Sequence, residues 1–597
     1  MFFQKMQIVT VQLIKPKLVI FAVLATIAYF YYGAFYNYSF NLADEGSVAL
    51  ISEKLYKGER PFLDITLGYG ILWYYPIVFL FKLFGVKFYI IRIYFLVLAF
   101  ISSLFAYALL LRLTKKHVVA VCVGLLVLIF HGVTYLTYIP LLVISGAYVL
   151  FLFDVKTNKT IINHWLALFF NGVFLGFAFL IRGDIATIYT FIFLIYHSLS
   201  AAKLAIIECD PKKLIIVPVR FIGIIIIIAI TAMPFALHAK VNGYYDGFIY
   251  QYFQFSEQLI SVVHSRYFLP SQTSVTPSFG TLPTLALNDV GTLQTDALTD
   301  ISKIQTDNLP AGTLWQKPAI SSFFSKDGPH ALLFVTYFPL VIFTIIWMYL
   351  GSDFFVRCFS TDKLADFISE RTDLLILSLA AFSTFPQFFV WRPDMPHFSE
   401  FMPGFMTLMA NFLFILWQRK NVSAGFITMP RTAFYFVCFF SIFFLVEFVS
   451  IYEEGLIIRK DRDFRLQMDK GIDVRLTRDE YDNITRLIAQ VKEYSKPDDF
   501  VLCFPYCPGI NFIADRRTFQ NFLYADDSFL NSQPWWLEKM RLDIAAKKPK
   551  VIVIHDWAVN NTEVSRFRNW ARPLYVEISK SYRLQDKFDP YEVFVLR

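Results

Sequence analysis

Two short polar motifs and one acidic pair stand out as groups able to do chemistry. Asp44 and Glu45 are adjacent carboxylates in a polar stretch, residues 41–70, that also holds Asp64. A carboxylate within hydrogen-bond reach of a hydroxyl can take its proton as a new bond forms. Arg182-Gly183-Asp184 separates two apolar runs with almost no loop, and a guanidinium there offers a planar fork suited to phosphate oxygens. Asp184 serves equally well as its salt-bridge partner. Arg392-Pro393-Asp394-Met395-Pro396-His397 places a guanidinium, a carboxylate and an imidazole in one turn stiffened by two prolines. Such a group suits a phosphate or pyrophosphate leaving group. Read without context, each has a plainer explanation: a solvated loop, a topology marker, a structural histidine.

The elements that carry these groups decide between the readings. The chain has 597 residues, of which 56% are hydrophobic and only 17% charged, with 67 Phe. That composition implies a polytopic α-helical membrane protein, because a hydrocarbon core about 30 Å thick takes roughly 20 apolar residues per helix. The apolar runs are continuous rather than alternating, which excludes a closed barrel. The net charge of +8 comes from Lys and Arg at the ends of apolar runs, so it indicates helix orientation and no nucleic acid partner.

Lys5, Lys15 and Lys17 place the N-terminus in the cytoplasm. The first span, 19–38, then delivers residues 41–86 outside as a loop followed by a juxtamembrane helix. Residues 71–84 are too short to cross and suit an interfacial helix. Spans at 88–113, 118–134, 136–153, 165–181, 185–199, 214–237, 329–350, 374–391, 398–417 and 434–451 follow with consistent alternation. Eleven spans result, forming residues 1–452, and Asp44, Arg182, Arg392 and His397 all emerge on one face. The long outer loop, 240–328, opens aromatic and partly helical and continues as a Ser/Thr/Leu/Pro-rich insert.

Residues 453–597 read as a soluble α/β domain on the outer side. A helix is predicted at 479–494 from Ile484, Leu487, Ile488 and Val491, with buried parallel strands at 500–504 and 551–554, a helix at 536–547 and a last strand at 591–596. The order fits a small doubly wound sheet. Cys503 and Cys507 lie close enough for a local disulfide in an oxidising compartment, which their spacing alone leaves open. Mid-membrane charge is scarce, Glu447 being the main exception, and no repeat or matched pair of broken helices appears, which argues against an ion-coupled transporter.

On three stretches the chain resembles the GT-C superfamily of polytopic glycosyltransferases, bacterial members in particular. The first comprises Asp44-Glu45, KGERPFLD, LWYYPIVFLFKLFG and the span-opening Arg92, similar to protein O-mannosyltransferases and aminoarabinose transferases. The second is LIRGD. The third is KPDDFVLCFPYCPGINFIADRR with KPKVIVI, similar to a periplasmic domain. Where members often carry Pro-Pro, this chain has Gly68-Tyr69-Gly70, which leaves the acceptor type open.

The resemblance implies an enzyme of the bacterial inner membrane with its C-terminal domain in the periplasm. It would transfer a sugar from a polyprenyl-phosphate donor to a glycan, lipid or protein acceptor with inversion. Asp44 would be the base, with Glu45 beside it and Asp64 supporting it from the same loop; Arg182, Arg392 and His397 would hold the donor phosphate, supported by Asp184 and Asp394. No metal ligands are assigned, and a divalent cation stays open because some members use one. A lipid-linked glycan flippase and a non-catalytic envelope assembly protein are the alternatives.

Overall fold

The computed structural model describes residues 2–152, 161–254, 330–391, 395–418, 421–424, 427–452, 454–525, 535–556, 563 and 566–597. Arg392 and Asp394, and the insert beyond residue 254, lie outside them. The chain runs through α1 (Phe2–Gly33), α2 (Asp44–Tyr56), α3 (Ile71–Phe84), α4 (Phe88–Thr114), α5 (His117–Ile129), α6 (Tyr138–Leu152), α7 (Ile161–Ile181), α8 (Gly183–Ile207), α9 (Ile216–Val241) and the short α10 (Tyr245–Ile249). It resumes with α11 (His330–Arg357), α12 (Thr361–Phe382) and α13 (Met395–Gln418). The hairpin β1 (Asn421–Ala424)/β2 (Ile427–Pro430) and α14 (Arg431–Ile451) complete this part.

Six of the described helical segments are long and apolar enough to cross a membrane: 88–114, 134–152, 183–207, 216–241, 334–357 and 396–418. Five apolar helices are shorter, among them Ile71–Phe84, which has the bounds expected for the juxtamembrane helix. The clearest departure from the expected spans is at 374–391. There α12 begins thirteen residues earlier, at Thr361, and stops at Phe382 before a separate π turn, Gln387–Trp391. The early start has a physical cause. Arg371, in the polar first half of α12, is buried against Asp353 of α11 at 2.7 Å, and Arg357 donates to the same carboxylate at 2.8 Å. Asp353→Ala should therefore remove the buried partner of two guanidinium groups, leaving them only the more exposed Glu370 at 3.4 and 3.6 Å, and cost about 3 kcal/mol, read as a drop in the thermal unfolding temperature of detergent-solubilised protein.

The expected polar loop 41–70 is also more structured than its composition suggests. Its first half is the helix α2, with Val48, Ala49, Leu50, Ile51 and Leu55 in the core. Residues 245–254 form two short helical turns. Phe62, Phe248 and Tyr252 form an edge-to-face cluster there, with Phe179 stacked on Tyr252 at 5.0 Å.

The C-terminal domain contains β3 (Phe464–Met468), β4 (Ile472–Leu476), α15 (Arg478–Tyr494), β5 (Val501–Phe504), α16 (Gly509–Ala514), α17 (Trp536–Lys547), β6 (Val551–His555), α18 (Phe567–Trp570), α19 (Arg572–Ser581), β7 (Tyr582–Phe588) and β8 (Tyr591–Leu596). A capping box between Thr477 and Glu480 starts α15, and Ile484, Leu487, Ile488 and Val491 form its buried stripe. The sheet order is β5-β6-β8-β7. Only β5 and β6 are parallel; β6–β8 and β7–β8 are antiparallel. The sheet is thus mixed rather than doubly wound, because only two residues separate β7 from β8 and so short a link permits only a hairpin.

Alternation along β5, β6 and β8 divides the core between two faces. Val501, Cys503, Val551, Val553 and Val593 join the main core that runs through the helical part, while Leu502, Phe504, Ile552, Ile554 and Phe594 pack with α17 and α19. The domain is therefore fused to the helices through a shared core.

Candidate active site

The site begins with the linker from α1 to α2. Arg92, near the start of α4, donates to the carbonyls of Tyr36 (2.9 Å), Tyr38 (3.0 Å) and Ser39 (2.7 Å). Its remaining donors meet Glu45 in a bidentate pair, 3.0 Å to Oε1 and 2.7 Å to Oε2, and both side chains are buried. The Asn41 N–H also donates to Glu45. This network ties the linker to the first turn of α2, and it leaves Glu45 engaged on both oxygens.

Asp44, one residue away, is half-buried and faces different partners. Its Oδ2 accepts from the Tyr135 hydroxyl at 2.7 Å and the Asn41 amide at 3.1 Å. Its Oδ1 accepts from the Tyr506 hydroxyl at 3.0 Å. Tyr135 lies in the turn before α6, and Tyr506 comes from the C-terminal domain, 462 residues along the chain. Burial, followed by the charge of Asp44, pushes the Tyr506 phenol well above its ordinary pKa, so it stays a donor.

A second polar group gathers around Arg182, in the extended residue between α7 and α8. Arg182 donates to both oxygens of Asp184 (3.0 and 3.1 Å) and to Gln387 Oε1 (2.8 Å), and it lies 3.9 Å from Glu400, a buried carboxylate of α13. Burial opposes the Arg182 charge, but Asp184, Glu400 and Tyr69 outweigh it and raise its pKa. The charges of both groups act on Tyr69, whose ring stacks on Trp73 at 3.8 Å. Burial raises the Tyr69 phenol; Arg182 pulls it down, while Asp44 and Glu400 push it further up. The hydroxyl thus lies in the field of both carboxylates and the guanidinium.

Gly70 explains how Tyr69 reaches this point. Its N–H donates to the Ile181 carbonyl at 3.0 Å, and any Cβ there would overlap the Leu180 carbonyl oxygen. The tight approach delivers residues 69–70 to the end of α7 beside Arg182, and Tyr252 braces it by donating to Leu180 at 3.0 Å. Gly70→Ala should force this junction apart and cost about 1–3 kcal/mol. The check is a lower unfolding temperature together with faster cysteine-reagent labelling of an Arg182→Cys reporter.

Of the other expected site residues, His397 sits half-buried in the first turn of α13, three positions before Glu400. Asp64 does not join Asp44. It closes its own loop by pairing with Arg60 at 3.0 Å, which lowers its pKa. Sequence reasoning passed over Tyr135, Tyr506, Gln387 and Glu400. Glu400 had a signal, a carboxylate one helical turn past His397 at the mouth of an apolar run; the tyrosines had none. Cys503 and Cys507, left open by spacing, form a disulfide around Tyr506. A cavity of about 170 Å³ adjoins the site, lined by Tyr36, Asn41, Glu45, Thr134, Tyr135 and Glu454 among others. Among the described residues no three His, Cys, Asp or Glu side chains converge as a metal site.

No protein-family model matches the chain, and no curated protein matches it either. Among solved structures it aligns with ArnT from Cupriavidus metallidurans bound to undecaprenyl phosphate, at 11% identity and a TM-score of 0.48, covering 97% of this chain and 98% of that one. The apo state of the same protein aligns at 11% identity and a TM-score of 0.46 with the same coverage. Likeness at that level assigns no activity.

Proposed function

We propose that this chain is a membrane glycosyltransferase that moves a sugar from a polyprenyl-phosphate donor to an acceptor hydroxyl on the outer face of a bacterial inner membrane. One observation carries the reading: Asp44 is held by hydroxyl and amide donors from three separate segments, and the Tyr69 phenol feels the charges of Asp44, Arg182 and Glu400 alike. A carboxylate so oriented suits proton removal from a nucleophile, and the Arg182 guanidinium suits a phosphate leaving group.

In the proposed step the acceptor oxygen attacks the anomeric carbon from the face opposite the phosphate. The bond to the phosphate oxygen breaks, polyprenyl phosphate departs, and the acceptor proton passes to Asp44, giving inversion. Arg182 receives charge on the phosphate, with Arg392 and His397 assigned to the same group and Asp184 and Asp394 supporting them. Glu45 acts through Arg92 to hold the first turn of α2, and Asp64 shapes the loop beyond it. The C-terminal domain is periplasmic and the N-terminus cytoplasmic in this reading. Glycan, lipid and protein acceptors all present the required hydroxyl.

The test is full-length protein in proteoliposomes with radiolabelled polyprenyl-phosphate sugars and a cell-envelope extract as acceptor. A new glycosidic product that survives the mild acid releasing sugar from the polyprenyl-phosphate donor supports the proposal. Movement of the labelled lipid across the bilayer with no new bond would indicate a flippase instead. Comparing envelope glycans by mass spectrometry with and without the gene would identify the acceptor.

A further inference from the structure

We propose that Tyr506 is a positioning residue for Asp44, set in place by the Cys503–Cys507 disulfide, so that the C-terminal domain completes the site. The inference rests on the reading of Asp44 as the base. An ionised carboxylate offers about four acceptor positions, two on each oxygen. Tyr135 and Asn41 occupy both on Oδ2, whereas Tyr506 occupies one on Oδ1. Among the described residues, the position left for an incoming hydroxyl is therefore on Oδ1, next to the Tyr506 hydroxyl. That donor fixes the plane of the carboxylate and hence the direction of the open lone pair.

The placement of Tyr506 depends on a five-residue ring anchored at both ends. Cys503 is in β5, where its N–H donates to Gln520 and its carbonyl accepts from the same amide, both at 3.2 Å. Cys507 is fully buried, and two residues later the Gly509 N–H donates to Leu42 at 2.8 Å, in the segment leading into α2. Gly46 of α2 faces Gly509 so closely that a Cβ on Gly46 would overlap its backbone. Further bonds reinforce the same docking. Lys470 reaches Glu53 of α2 at 2.7 Å, and Thr66 N–H donates to Asn521 at 2.8 Å. The disulfide thus ties β5, fixed to the core, to a turn whose next residues pack, through Gly509, against the helix that holds Asp44.

The experiment uses the full chain in detergent micelles and measures modification of Asp44 by a water-soluble carbodiimide with glycine ethyl ester at fixed pH, read by mass spectrometry. Tyr506→Phe keeps the ring that packs edge-on against Tyr524 and removes only the hydroxyl. It should raise Asp44 modification about tenfold, as expected for loss of one hydrogen bond to a charged group. Cys503→Ala/Cys507→Ala should raise it in the same direction, and adding Tyr506→Phe to that pair should give no more than Tyr506→Phe alone. In transfer assays Tyr506→Phe should lower kcat while leaving KM for the donor unchanged. Unchanged modification in Tyr506→Phe, or effects of the cysteine pair and Tyr506→Phe that multiply, would overturn the proposal. Full transfer by Asp44→Asn would instead refute the base assignment while leaving the modification result standing, so the two failures are distinguishable.

Discussion

Asp44→Asn is expected to reduce sugar transfer by at least 100-fold while the protein stays folded. The side chains have nearly the same shape, so the neighbours of α2 need not move. The hydroxyls of Tyr135 and Tyr506 can turn to donate to, or accept from, the new amide. What is lost is the proton acceptor, and a positioned general base typically contributes about 10²–10⁴-fold. The measurement is the initial rate of radiolabel transfer, with thermal unfolding as the fold control. A mutant that transfers at the wild-type rate would remove Asp44 from the chemistry and shift attention to Glu400, the other carboxylate near Tyr69.

Removing its neighbour should act differently. Glu45→Ala leaves the Arg92 guanidinium buried without its counter-charge, a loss of about 3–5 kcal/mol by the usual cost of breaking a buried pair. The unfolding temperature should fall sharply. Three carbonyl acceptors, on Tyr36, Tyr38 and Ser39, would remain around Arg92, so the linker should loosen without detaching. Glu45→Gln retains a hydrogen-bond acceptor and should recover part of the stability, with transfer per folded molecule within tenfold of wild type. A much larger activity loss in a stable Glu45→Gln protein would give Glu45 a direct part in the reaction.

These contrasting expectations for adjacent carboxylates mark how far the sequence could be read. It showed an acidic pair and its polar stretch, and only the family resemblance, not the residues themselves, preferred Asp44 over Glu45 as the base. Only Arg92, arriving from 47 residues further on, separates them by taking up Glu45. Asp64 was likewise grouped with Asp44 on proximity in the chain, and it is occupied by Arg60 instead. Gly68-Tyr69-Gly70 looked like a mere departure from a motif. The fold makes Gly70 the point of contact with the end of α7 and leaves Tyr69 in the field of both polar groups.

Local physics was sufficient where an element's reason for existing lies within its own residues. The apolar run 71–84, the long apolar helix from Phe88, the stripe on α15 and the helix at 536–547 are all found where periodicity and length placed them. Burial of an amphipathic face needs no knowledge of the partner. Tertiary structure decided everything that depends on a partner distant in sequence. The Asp353–Arg371 pair lets α12 start in a polar segment, and the short β7–β8 link turns an expected parallel sheet into a mixed one. The site itself is the extreme case. The three donors to Asp44 come from positions 41, 135 and 506, and no periodicity connects them, because a hydrogen bond depends on distance in space and is indifferent to distance along the chain.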